Sequence, residues 1–458
     1  MTRHVVVIGA GPAGLAAATA AVRAGARVTL IDAADQAGGQ YHRMPTDTYE
    51  AKRPFRIRES ERCDWWPGAA VWSLERRDSG TPRVHVVRGS DADGDQRRRY
   101  VLRPDALVLA PGAHDRVLPF PGWELPGVVT AGAAQALAKG ERVAVGGRAL
   151  VAGTGPFLLP VAASLLDVGA HVIEVLEAST TGAVLRGWTH RPWELAGQAG
   201  KAAELAAYAA RLARGHVPYR TGRAVIEARG DGRIEEAVTA RLRADWSVVP
   251  GSERTSAVDA LCVTHGFTAR LELPVAAGCA VLGGFVMVDG DQATSVPGVY
   301  AAGEVTGIAG APAARAEGVV AGWVAGGGSP ERLRAIRRRR DEGRAFAVRL
   351  ATAHPIGRRW TEWLRPDTIV CRCEETDYGT LRQAAHAQAT PLREGARAPG
   401  LDARAVRLGT RAGLGPCQAR ICGPALAELL DTNPHHRPVA WPIRLGELAN
   451  PPEKEQTT

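Results

Sequence analysis

Four of the seven cysteines in this 458-residue chain fall into two closely spaced pairs. Cys371 and Cys373 stand one residue apart in TIVCRCEET, and Cys417 and Cys422 follow in TRAGLGPCQARICGP. Cysteines at positions i and i+2 of a short loop make a poor disulfide, but together they can clamp one metal centre. Four thiolates could hold a tetrahedral zinc ion or a [2Fe–2S] cluster. The spacing alone leaves these two alternatives open.

Helix geometry indicates which elements must surround the second pair. Five residues at about 100° each place Cys417 and Cys422 about 140° apart around a helix, so the two cannot share a helix face. We therefore expect Cys417 in a turn after the Gly-Pro of 415–416, and Cys422 directly before a helix that begins at Gly423. Backbone N–H groups of such turns and helix starts would stabilise a thiolate cluster and raise its redox potential.

A glycine-rich turn near the N-terminus is the second group of residues that could do chemistry. HVVVIGAGPAGLAAATAAVRAGARVTLIDA predicts a strand, a G-x-G-x-x-G turn, a helix and a second strand that ends in an acid. The three glycines allow, in order, a tight turn, close approach to a pyrophosphate and packing of helix against strand. The helix N-terminus attracts phosphate, and the acid is placed to bind ribose hydroxyls. The expected nucleotide contacts are Gly9, Gly11, Pro12, Ala13, Gly14 and Asp32.

A distant segment distinguishes FAD from NAD, which share this turn. TSVPGVYAAGEVTGIAGAPAARAEG (294–318) predicts a short strand that ends at Gly303 and Glu304, then a helix with Pro312 near its first position. A carboxylate at the end of that strand can hold the ribityl chain of a flavin. The N-terminus of the helix can face the isoalloxazine ring and favour the anionic reduced flavin.

These segments resemble the two-dinucleotide-domain flavoproteins of the glutathione and thioredoxin reductase class. ALVLAPGAHDR (106–116) is similar to the intermediate strand and turn of that class, with Ala-Pro-Gly where Ala-Thr-Gly is usual. AGGQYHR (37–43) resembles its flavin-contacting loop, and the Gly-Glu of the distant motif replaces the usual Gly-Asp. The resemblance implies an α/β fold with one FAD. The further expected contacts are Gly39, Gln40, Val71, Ala110, Gly112, Gly303, Glu304 and Pro312.

A second strand-turn-helix-strand pattern covers 148–177 and predicts a second nucleotide-binding domain. It contains Gly153 and Gly155, but Leu158 replaces the third glycine, where a larger side chain pushes the helix from the strand or shifts the register. Glu177 ends the second strand and would favour a ribose without a phosphate. NAD is one candidate ligand. We favour a retained scaffold that is empty or holds another adenine nucleotide.

Composition and charge restrict the remaining functional classes. The hydrophobic fraction of 45% supports large cores in several domains. The net charge of +9 comes from arginine spread along the chain, and we expect no nucleic-acid partner. The densest run, RLRAIRRRR (332–340), is interpreted as a solvated helix face, with a docking patch for an acidic partner as the alternative.

The apolar stretches 5–22 and 149–166 contain Gly-x-Gly-Pro, so we expect no transmembrane segment. Without a secretion signal, the cysteines are expected to be reduced.

The cysteine motifs resemble the bacterioferritin-associated-ferredoxin-like (BFD-like) [2Fe–2S] domain. Their C-x-C and C-x4-C form is similar to the domain in the FAD-containing α or A subunits of opine oxidases, of the cyanide-forming glycine dehydrogenase, and of proline and hydroxyproline dehydrogenases. The resemblance runs nearly end to end and includes PFPGWELPGVVTAGAAQALAK (119–139) and RPVAWPIRLGELA (437–449). It implies that Cys371, Cys373, Cys417 and Cys422 hold a [2Fe–2S] cluster.

The resemblance also predicts the domain order. We expect an FAD-binding domain, a second nucleotide-binding domain, an Arg-rich linker or exposed helix, a BFD-like domain and a tail. Their predicted boundaries are 1–125 with 277–330, 126–276, 331–365, 366–433 and 434–458. No Cys-x-x-Cys lies between the two nucleotide sites, so disulfide-reductase chemistry is not expected.

The implied function is electron transfer within an amine or imino-acid dehydrogenase. An FAD-containing, amine oxidase-like β subunit would oxidise the C–N bond of glycine, proline, hydroxyproline or an opine, and a small third [2Fe–2S] subunit is an option. The location would be cytoplasmic, with peripheral attachment to the inner face of the membrane left open. No catalytic residue is expected in this chain, and we interpret His114, Asp115, His265 and His354 as structural polar groups.

Two other functions compete with this interpretation. A stand-alone NAD(P)H-dependent reductase of a ferredoxin-like acceptor would need a working second nucleotide site, and Leu158 argues against one. A non-enzymatic assembly module would carry zinc in place of the iron–sulfur cluster. Metal analysis and reduction by NADH distinguish the three functions.

Overall fold

The computed structural model describes the chain except for Met1 and ten internal or C-terminal stretches, which are 53–54, 56, 58–59, 79, 90–96, 191–198, 390–401, 433–439, 450–451 and 454–458. The chain forms two compact units. The first unit comprises Met1–His114, Ala269–Val348 and His436–Thr458, and the second comprises Asp115–Thr268 and Arg349–His435.

The strands, numbered along the chain, are β1 His4–Ile8, β2 Arg27–Ile31, β3 Cys63–Trp66, β4 Ala69–Glu75, β5 Arg83–Arg88, β6 Arg98–Leu102, β7 Ala106–Leu109, β8 Ala113–Asp115, β9 Val128–Thr130, β10 Arg148–Gly153, β11 His171–Glu177, β12 Tyr219–Thr221, β13 Arg223–Arg229, β14 Glu236–Arg241, β15 Arg254–Ala257, β16 Ala260–Thr264, β17 Phe267–Ala269, β18 Val281–Leu282, β19 Phe285–Val286, β20 Val299–Ala301, β21 Ile369–Cys371 and β22 Thr376–Asp377.

The helices are α1 Pro12–Arg23, α2 Thr46–Lys52, α3 Ala131–Gly140, α4 Leu158–Asp167, α5 Thr181–Thr189, α6 Ala199–Arg214, α7 Glu272–Ala277, α8 Ala311–Ala325, α9 Arg334–Ala353, α10 Tyr378–Ala389, α11 Ala403–Thr410, α12 Gly423–Leu429 and α13 Leu445–Ala449. Short 3-10 turns cover Pro330–Leu333 and Arg358–Trp363. Among the described residues, no helix has both the length and the apolar composition needed to cross a bilayer.

A five-stranded parallel sheet in the order β20-β7-β1-β2-β3 forms the centre of the first unit. Its central strands are mostly apolar because the sheet is buried on both faces, by α1 and α8 on one face and by residues of β4, β5 and β6 on the other. Helices α1 and α8 pack closely through glycine. A Cβ atom on Gly318 would lie 2.1 Å from the carbonyl oxygen of Ala13, and one on Gly322 would lie 2.0 Å from that of Ala17. Larger residues at these two positions of α8 would therefore separate the helices.

The antiparallel sheet β4-β5-β6 of the first unit binds part of the C-terminal segment. The amide of Ala440 donates to the carbonyl of Trp72 at 2.8 Å, and the buried carboxylate of Glu447 pairs with Arg97 at 2.8 Å. The predicted tail, 434–458, therefore contains residues that pack on the first unit. Its stretches 434–439, 450–451 and 454–458 lie outside the described residues.

The second unit is built on a parallel sheet in the order β12-β11-β10-β16-β9, with the antiparallel sheet β13-β14-β15. The four paired cysteines, Cys371, Cys373, Cys417 and Cys422, belong to this second unit. Trp246, Trp360 and Trp363 are buried in one apolar cluster that also includes Ala425 of α12. The iron–sulfur candidate segment and the second nucleotide-binding fold thus share a core.

Both predicted strand-turn-helix-strand units are present, as β1-α1-β2 and β10-α4-β11. The helix expected to have Pro312 near its first position is α8. The predicted domain boundaries stay predictions; the chain passes between the two units at 114/115, 268/269, 348/349 and 435/436.

The arginine-rich run (332–340) extends into α9. Its interpretation as a solvated helix face is confirmed for the exposed arginines at 332, 334, 338 and 339, but it is wrong for Arg337 and Arg340. Arg337 pairs with Asp291, and buried Arg340 donates to the carbonyl of Gly290 at 2.6 Å. Arg344 donates to Gln292 at 2.8 Å. A spacing of three and four residues places these arginines on one helix face, which packs against the loop at 290–292.

Candidate functional site

The first glycine-rich turn has no room for side chains at two of its three glycines. Gly9 has φ +100°, and a Cβ there would lie 2.1 Å from the carbonyl oxygen of Ala110. A Cβ on Gly14 would lie 1.7 Å from the carbonyl oxygen of Gly9. Gly11 instead has nothing within 4 Å of the equivalent position, so the backbone there is open to a ligand.

Asp32 is bound to the backbone of this turn. Its Oδ2 accepts from the amide of Ala10 at 2.6 Å, and its Oδ1 accepts from that of Ala34 at 2.8 Å. Burial raises the pKa of Asp32, although these two amides oppose the shift. A carboxylate offers about four acceptor positions, so the two amides leave capacity for ribose hydroxyls.

The loop at 37–43 and the distant Gly-Glu motif both reach the start of α1. A Cβ on Gly39 (φ +60°) would lie 3.0 Å from Cα of Gly11, and one on Gly303 would lie 2.8 Å from Cβ of Ala13. Burial raises the pKa of Glu304, which has no hydrogen-bond partner among the described residues. Glu304 is therefore suited to a polar ligand group beside the turn.

Glu317 holds this motif in place and was missed by sequence reasoning. The amide of Gly303 donates to its Oε2 at 2.8 Å, and the hydroxyl of Thr306 donates to the same atom at 2.6 Å. Arg344 donates to Oε1 at 3.0 Å. An acid within the Ala-rich, otherwise apolar face of α8 was the signal that could have identified it.

Some of the other predicted flavin contacts lie near the glycine turn in the structure, and others do not. Pro312 lies in the first turn of α8, and Gly112 has φ +77° with open space beside it. The amide oxygen of Gln40 accepts from Arg43 at 2.9 Å, while Val71 is buried in the core beside β4. The structure thus brings together the glycine turn, Gly39, Ala110 and Gly303, but gives no contact of Gln40 or Val71 with that turn.

In the second site, where Leu158 replaces the third glycine, the helix begins later in the sequence than in the first site. Helix α4 begins at Leu158, five residues after Gly153, whereas α1 begins three residues after Gly9. Leu158 is fully buried. A Cβ on Gly153 would lie 1.6 Å from the carbonyl oxygen of Thr264, and Gly155 is open. The predicted register shift is therefore accommodated by a longer turn.

Glu177 is fully buried and surrounded by donors. Its Oε1 accepts from the hydroxyl of Thr154 at 2.7 Å and from the amide of Ser179 at 2.8 Å. Its Oε2 accepts from the amide of Gly155 at 2.8 Å and lies 3.1 Å from Nδ1 of His354. Burial favours the neutral acid, but these hydrogen bonds outweigh it and lower the pKa of Glu177.

The four cysteines lie on two loops that bring them near one another in pairs. The sulfur atoms of Cys371 and Cys422 are 3.8 Å apart, and a Cβ on Gly415 would lie 2.4 Å from Cβ of Cys373. Cys371 and Cys422 are buried, whereas Cys373 is exposed. As predicted from the spacing, Cys417 lies in a turn and Cys422 directly precedes α12.

Backbone N–H groups face the sulfurs of this quartet. The amide of Gly413 donates to Sγ of Cys371 at 3.3 Å. A hydrogen bond from Cys422, together with backbone amides, lowers the pKa of Cys371 to about 6 and that of Cys417 to about 5. The pKa of Cys422 is raised because it shares its proton with both neighbours. Loops with positive φ at Glu375, Arg411, Gln418 and Ala419 form this cradle.

The cradle suits an anionic thiolate cluster, because convergent amides stabilise negative charge on sulfur. Among the described residues, no three or more His, Cys, Asp and Glu side chains surround a single point. The fit of the quartet therefore rests on the paired sulfurs and the amides around them.

Three side chains outside the predicted site position the cysteine loops. Arg407 is buried and donates to the carbonyls of Ala412 and Gly413 at 3.3 and 3.0 Å. Arg372 donates to the carbonyl of Glu124 at 3.1 Å, and Nε1 of Trp123 donates to that of Ile369 at 2.5 Å. Trp123 and Glu124 lie in PFPGWELPG, so that motif supports the cysteine loop.

Family comparison agrees with this geometry. The model of the pyridine nucleotide-disulphide oxidoreductase family matches residues 3–318, and that of the BFD-like [2Fe-2S] binding domain matches residues 369–432. The A subunit of opine oxidase from Agrobacterium tumefaciens (strain Ach5) is 31% identical over 500 residues, which cover 97% of this chain and 91% of that protein. The chain belongs to the family of opine oxidase A subunits.

Other relatives have similar extent. Hydrogen cyanide synthase subunit HcnB of Pseudomonas aeruginosa is 29% identical over 92% of this chain and 91% of its own length. The structure of L-proline dehydrogenase from P. horikoshii aligns with a TM-score of 0.65 at 17% identity, and covers 98% of this chain and 80% of that one. The latter supports the fold alone.

Membership of this opine oxidase family confirms the predicted fold class and cofactors. The chain is an FAD-dependent oxidoreductase subunit with the two-dinucleotide-domain fold and a BFD-like [2Fe–2S] domain. The individual cofactor contacts and the cysteine ligands stay predictions that the geometry above supports.

Asp115, His265 and His354, interpreted as structural polar groups, have hydrogen-bond partners within the second unit. Asp115 accepts from the amide of Gly132 at 2.9 Å and the hydroxyl of Thr264 at 3.2 Å. Burial, with Arg116 nearby, lowers the pKa of His265 to about 3, and its Nδ1 accepts from the amide of Leu118 at 3.3 Å. His265 is therefore neutral at physiological pH.

Proposed function

We propose that this chain relays electrons in an amine or imino-acid dehydrogenase complex. A partner β subunit, itself an FAD-containing amine oxidase-like protein, would oxidise the C–N bond of an opine, glycine, proline or hydroxyproline. Electrons would then pass through the [2Fe–2S] cluster and the FAD of this chain toward an acceptor. A small third [2Fe–2S] subunit and a cytoplasmic location, with attachment to the inner face of the membrane, belong to the same proposal.

One observation carries this proposal: a single chain combines an open flavin-type glycine turn with a four-cysteine cradle, over nearly the full length of proteins named as oxidase subunits. FAD exchanges one or two electrons, and a [2Fe–2S] cluster exchanges one. The chain therefore has the parts of a relay, while substrate oxidation is assigned to the partner.

The residues of this chain contribute positioning and electrostatics. Glu317 orients the Gly303–Glu304 backbone, which leaves the Glu304 carboxyl free for a polar group of the flavin. The amide of Gly413 and its neighbours place positive partial charge at the sulfurs, which favours the reduced, more negative form of the cluster.

The chain purified alone and without oxygen tests this function. Expected are FAD, about two irons and two sulfides per chain, no zinc, and no bleaching of the flavin by NADH. Addition of the partner subunit and its substrate should then reduce both cofactors. Prompt bleaching by NADH alone would support the stand-alone reductase, and zinc without sulfide would support the assembly module; either result would reject the relay.

A cell fractionation experiment tests the location. The assembled complex is expected in the high-speed supernatant, or in a membrane fraction from which salt releases it. Recovery only after detergent extraction would contradict this part of the proposal.

A further inference from the structure

The two nucleotide folds of this chain use their strand-ending acids differently. Asp32 is half-buried and accepts two backbone amides. Glu177 occupies the equivalent place in the second fold but is fully buried. Asp32 can therefore be compared with Glu177 within the same chain. It is an acid that can still accept hydrogen bonds from a ribose.

Glu177 has no such capacity left. Thr154, Gly155, Ser179 and His354 together occupy about the four acceptor positions of a carboxylate. Burial, with Glu177 nearby, raises the pKa of the Tyr219 hydroxyl, so this side chain too stays neutral beside the carboxylate. A ribose hydroxyl could bind only if one of these donors were displaced, which would leave a buried polar group unpaired.

His354 is a donor without a counterpart in the first site, and it comes from a distant segment of the chain. We call residues 349–365 the strap. Arg349 is buried and donates to the carbonyls of Gly187 and Trp188 at 3.1 and 2.9 Å. A Cβ on Gly187 would lie 2.4 Å from Cα of Ala353. The start of the strap is thus packed directly against α5, the helix that follows Glu177.

The strap continues along the same unit toward the cysteines. A Cβ on Gly357 would lie 2.3 Å from the Trp246 ring, and Trp363 stacks on that ring with centroids 5.9 Å apart. Nε1 of Trp363 donates to the carbonyl of Trp246 at 3.1 Å, and Arg365 pairs with Glu227 at 2.9 Å. The strap therefore joins the second nucleotide fold to β21, which carries Cys371.

We propose that the strap closes the second nucleotide fold at Glu177, so that NAD(H) and other adenosine ribose-containing nucleotides do not bind there, and that this fold instead seats the iron–sulfur segment. His354 contacts the carboxylate of Glu177, the acid that would otherwise bind the ribose. The inference is independent of which partner supplies electrons, because it concerns only contacts within the second unit.

Nucleotide binding to the holoprotein tests the closure. NADH, ADP-ribose and ATP are titrated by calorimetry into the wild type, His354→Ala and the control His171→Ala, whose imidazole is exposed in the same unit. No saturable binding is expected for the wild type or the control up to about 1 mM nucleotide. His354→Ala removes one donor and opens space. This variant should bind ADP-ribose with a Kd at least about tenfold below the 1 mM limit set for the wild type.

Two results would overturn the proposal. Saturable binding of any of the three probes by the wild type, with a Kd below about 1 mM, would mean that the site is open. A folded His354→Ala variant, with full cluster and flavin content but no gain in binding, would mean that the strap is not what closes it.

Hydrogen exchange of the wild type tests the closure even if the His354→Ala variant does not fold. Amides in 154–157 and 177–179 should exchange at the same rate with and without ADP-ribose. Protection by the nucleotide would reject the closure.

Discussion

Gly415 and Cys373 are in such close contact that a single added methyl group would collide with the cysteine: the Cβ atoms would be 2.4 Å apart. This contact joins the loop that carries Cys417 to the loop that carries Cys371. The arrangement of the cysteine quartet therefore depends on a residue that has no functional group of its own.

Gly415→Ala is accordingly expected to impair cluster assembly. Relief of the clash must move one loop away from the other, at a cost of about 1–3 kcal/mol. Iron and sulfide per chain should fall below about half of the wild-type value, while FAD content is unchanged. Gly409→Ala is the matched control, because nothing lies within 4 Å of a Cβ at that position of α11. A Gly415→Ala protein with full iron and sulfide would contradict the prediction.

Cys417→Ser should abolish cluster assembly and leave FAD bound. A serine hydroxyl is a much poorer ligand for iron in such a cluster, and the pKa of Cys417, about 5, places its thiolate among the available ligands at neutral pH. Absorbance and iron analysis measure the loss. Cys279→Ala removes a buried cysteine of the first unit that lies outside the quartet and should retain its iron. A full cluster in Cys417→Ser would remove this residue from the ligand set.

Glu317→Ala is predicted to destabilise the first unit and weaken FAD binding. The change leaves the Gly303 amide, the Thr306 hydroxyl and the Arg344 guanidinium without their shared acceptor, which costs about 3–5 kcal/mol for a buried pair. Urea unfolding and the retained flavin after dilution give the two measurements. Glu342→Ala breaks only the exposed pair with Arg338 and should change stability by less than about 1 kcal/mol. Equal effects of the two variants would show that Glu317 has no special role.

His265 should make the unfolding free energy depend on pH. Its pKa is about 3 in the folded chain and 6.5 for an ordinary histidine, so between these values the unfolded chain binds a proton that the folded chain does not. The stabilisation is present above pH 6.5 and is lost as the pH falls toward 3. From pH 7 to 5.5 the wild type should therefore lose about 1 kcal/mol more than His265→Gln.

Urea titrations followed by tryptophan fluorescence can measure this difference. Parallel curves for wild type and His265→Gln would mean that folding does not lower the pKa of His265.

Local sequence predicted the elements that carry the cofactors. The two strand-turn-helix-strand units, the helix that begins beside Pro312 and the position of Cys422 before α12 all follow from patterns within about 30 residues. Glycine requirements such as that of Gly9 are local in origin as well, because a positive φ and a tight turn are features of a few consecutive residues.

The partners of charged residues could not be predicted in this way. Arg340 ends a run that resembles a solvated helix face, and Arg344 follows it one turn later, yet they bind the loop at 290–292 and Glu317. His354 and Glu177 are 177 residues apart in the chain. Helical periodicity indicates which side chains share a face, but it does not indicate what that face meets.

The sequence by itself therefore determined the α/β fold class, the flavin-type turn and the presence of two paired cysteine motifs, because each depends on local conformation and residue type. Only the tertiary structure decided that Glu317 holds the Gly303–Glu304 motif, that the iron–sulfur segment shares a core with the second nucleotide fold, and that Glu177 faces His354. These relationships arise from long-range packing, in which each buried polar group must find a partner wherever the folded chain provides one.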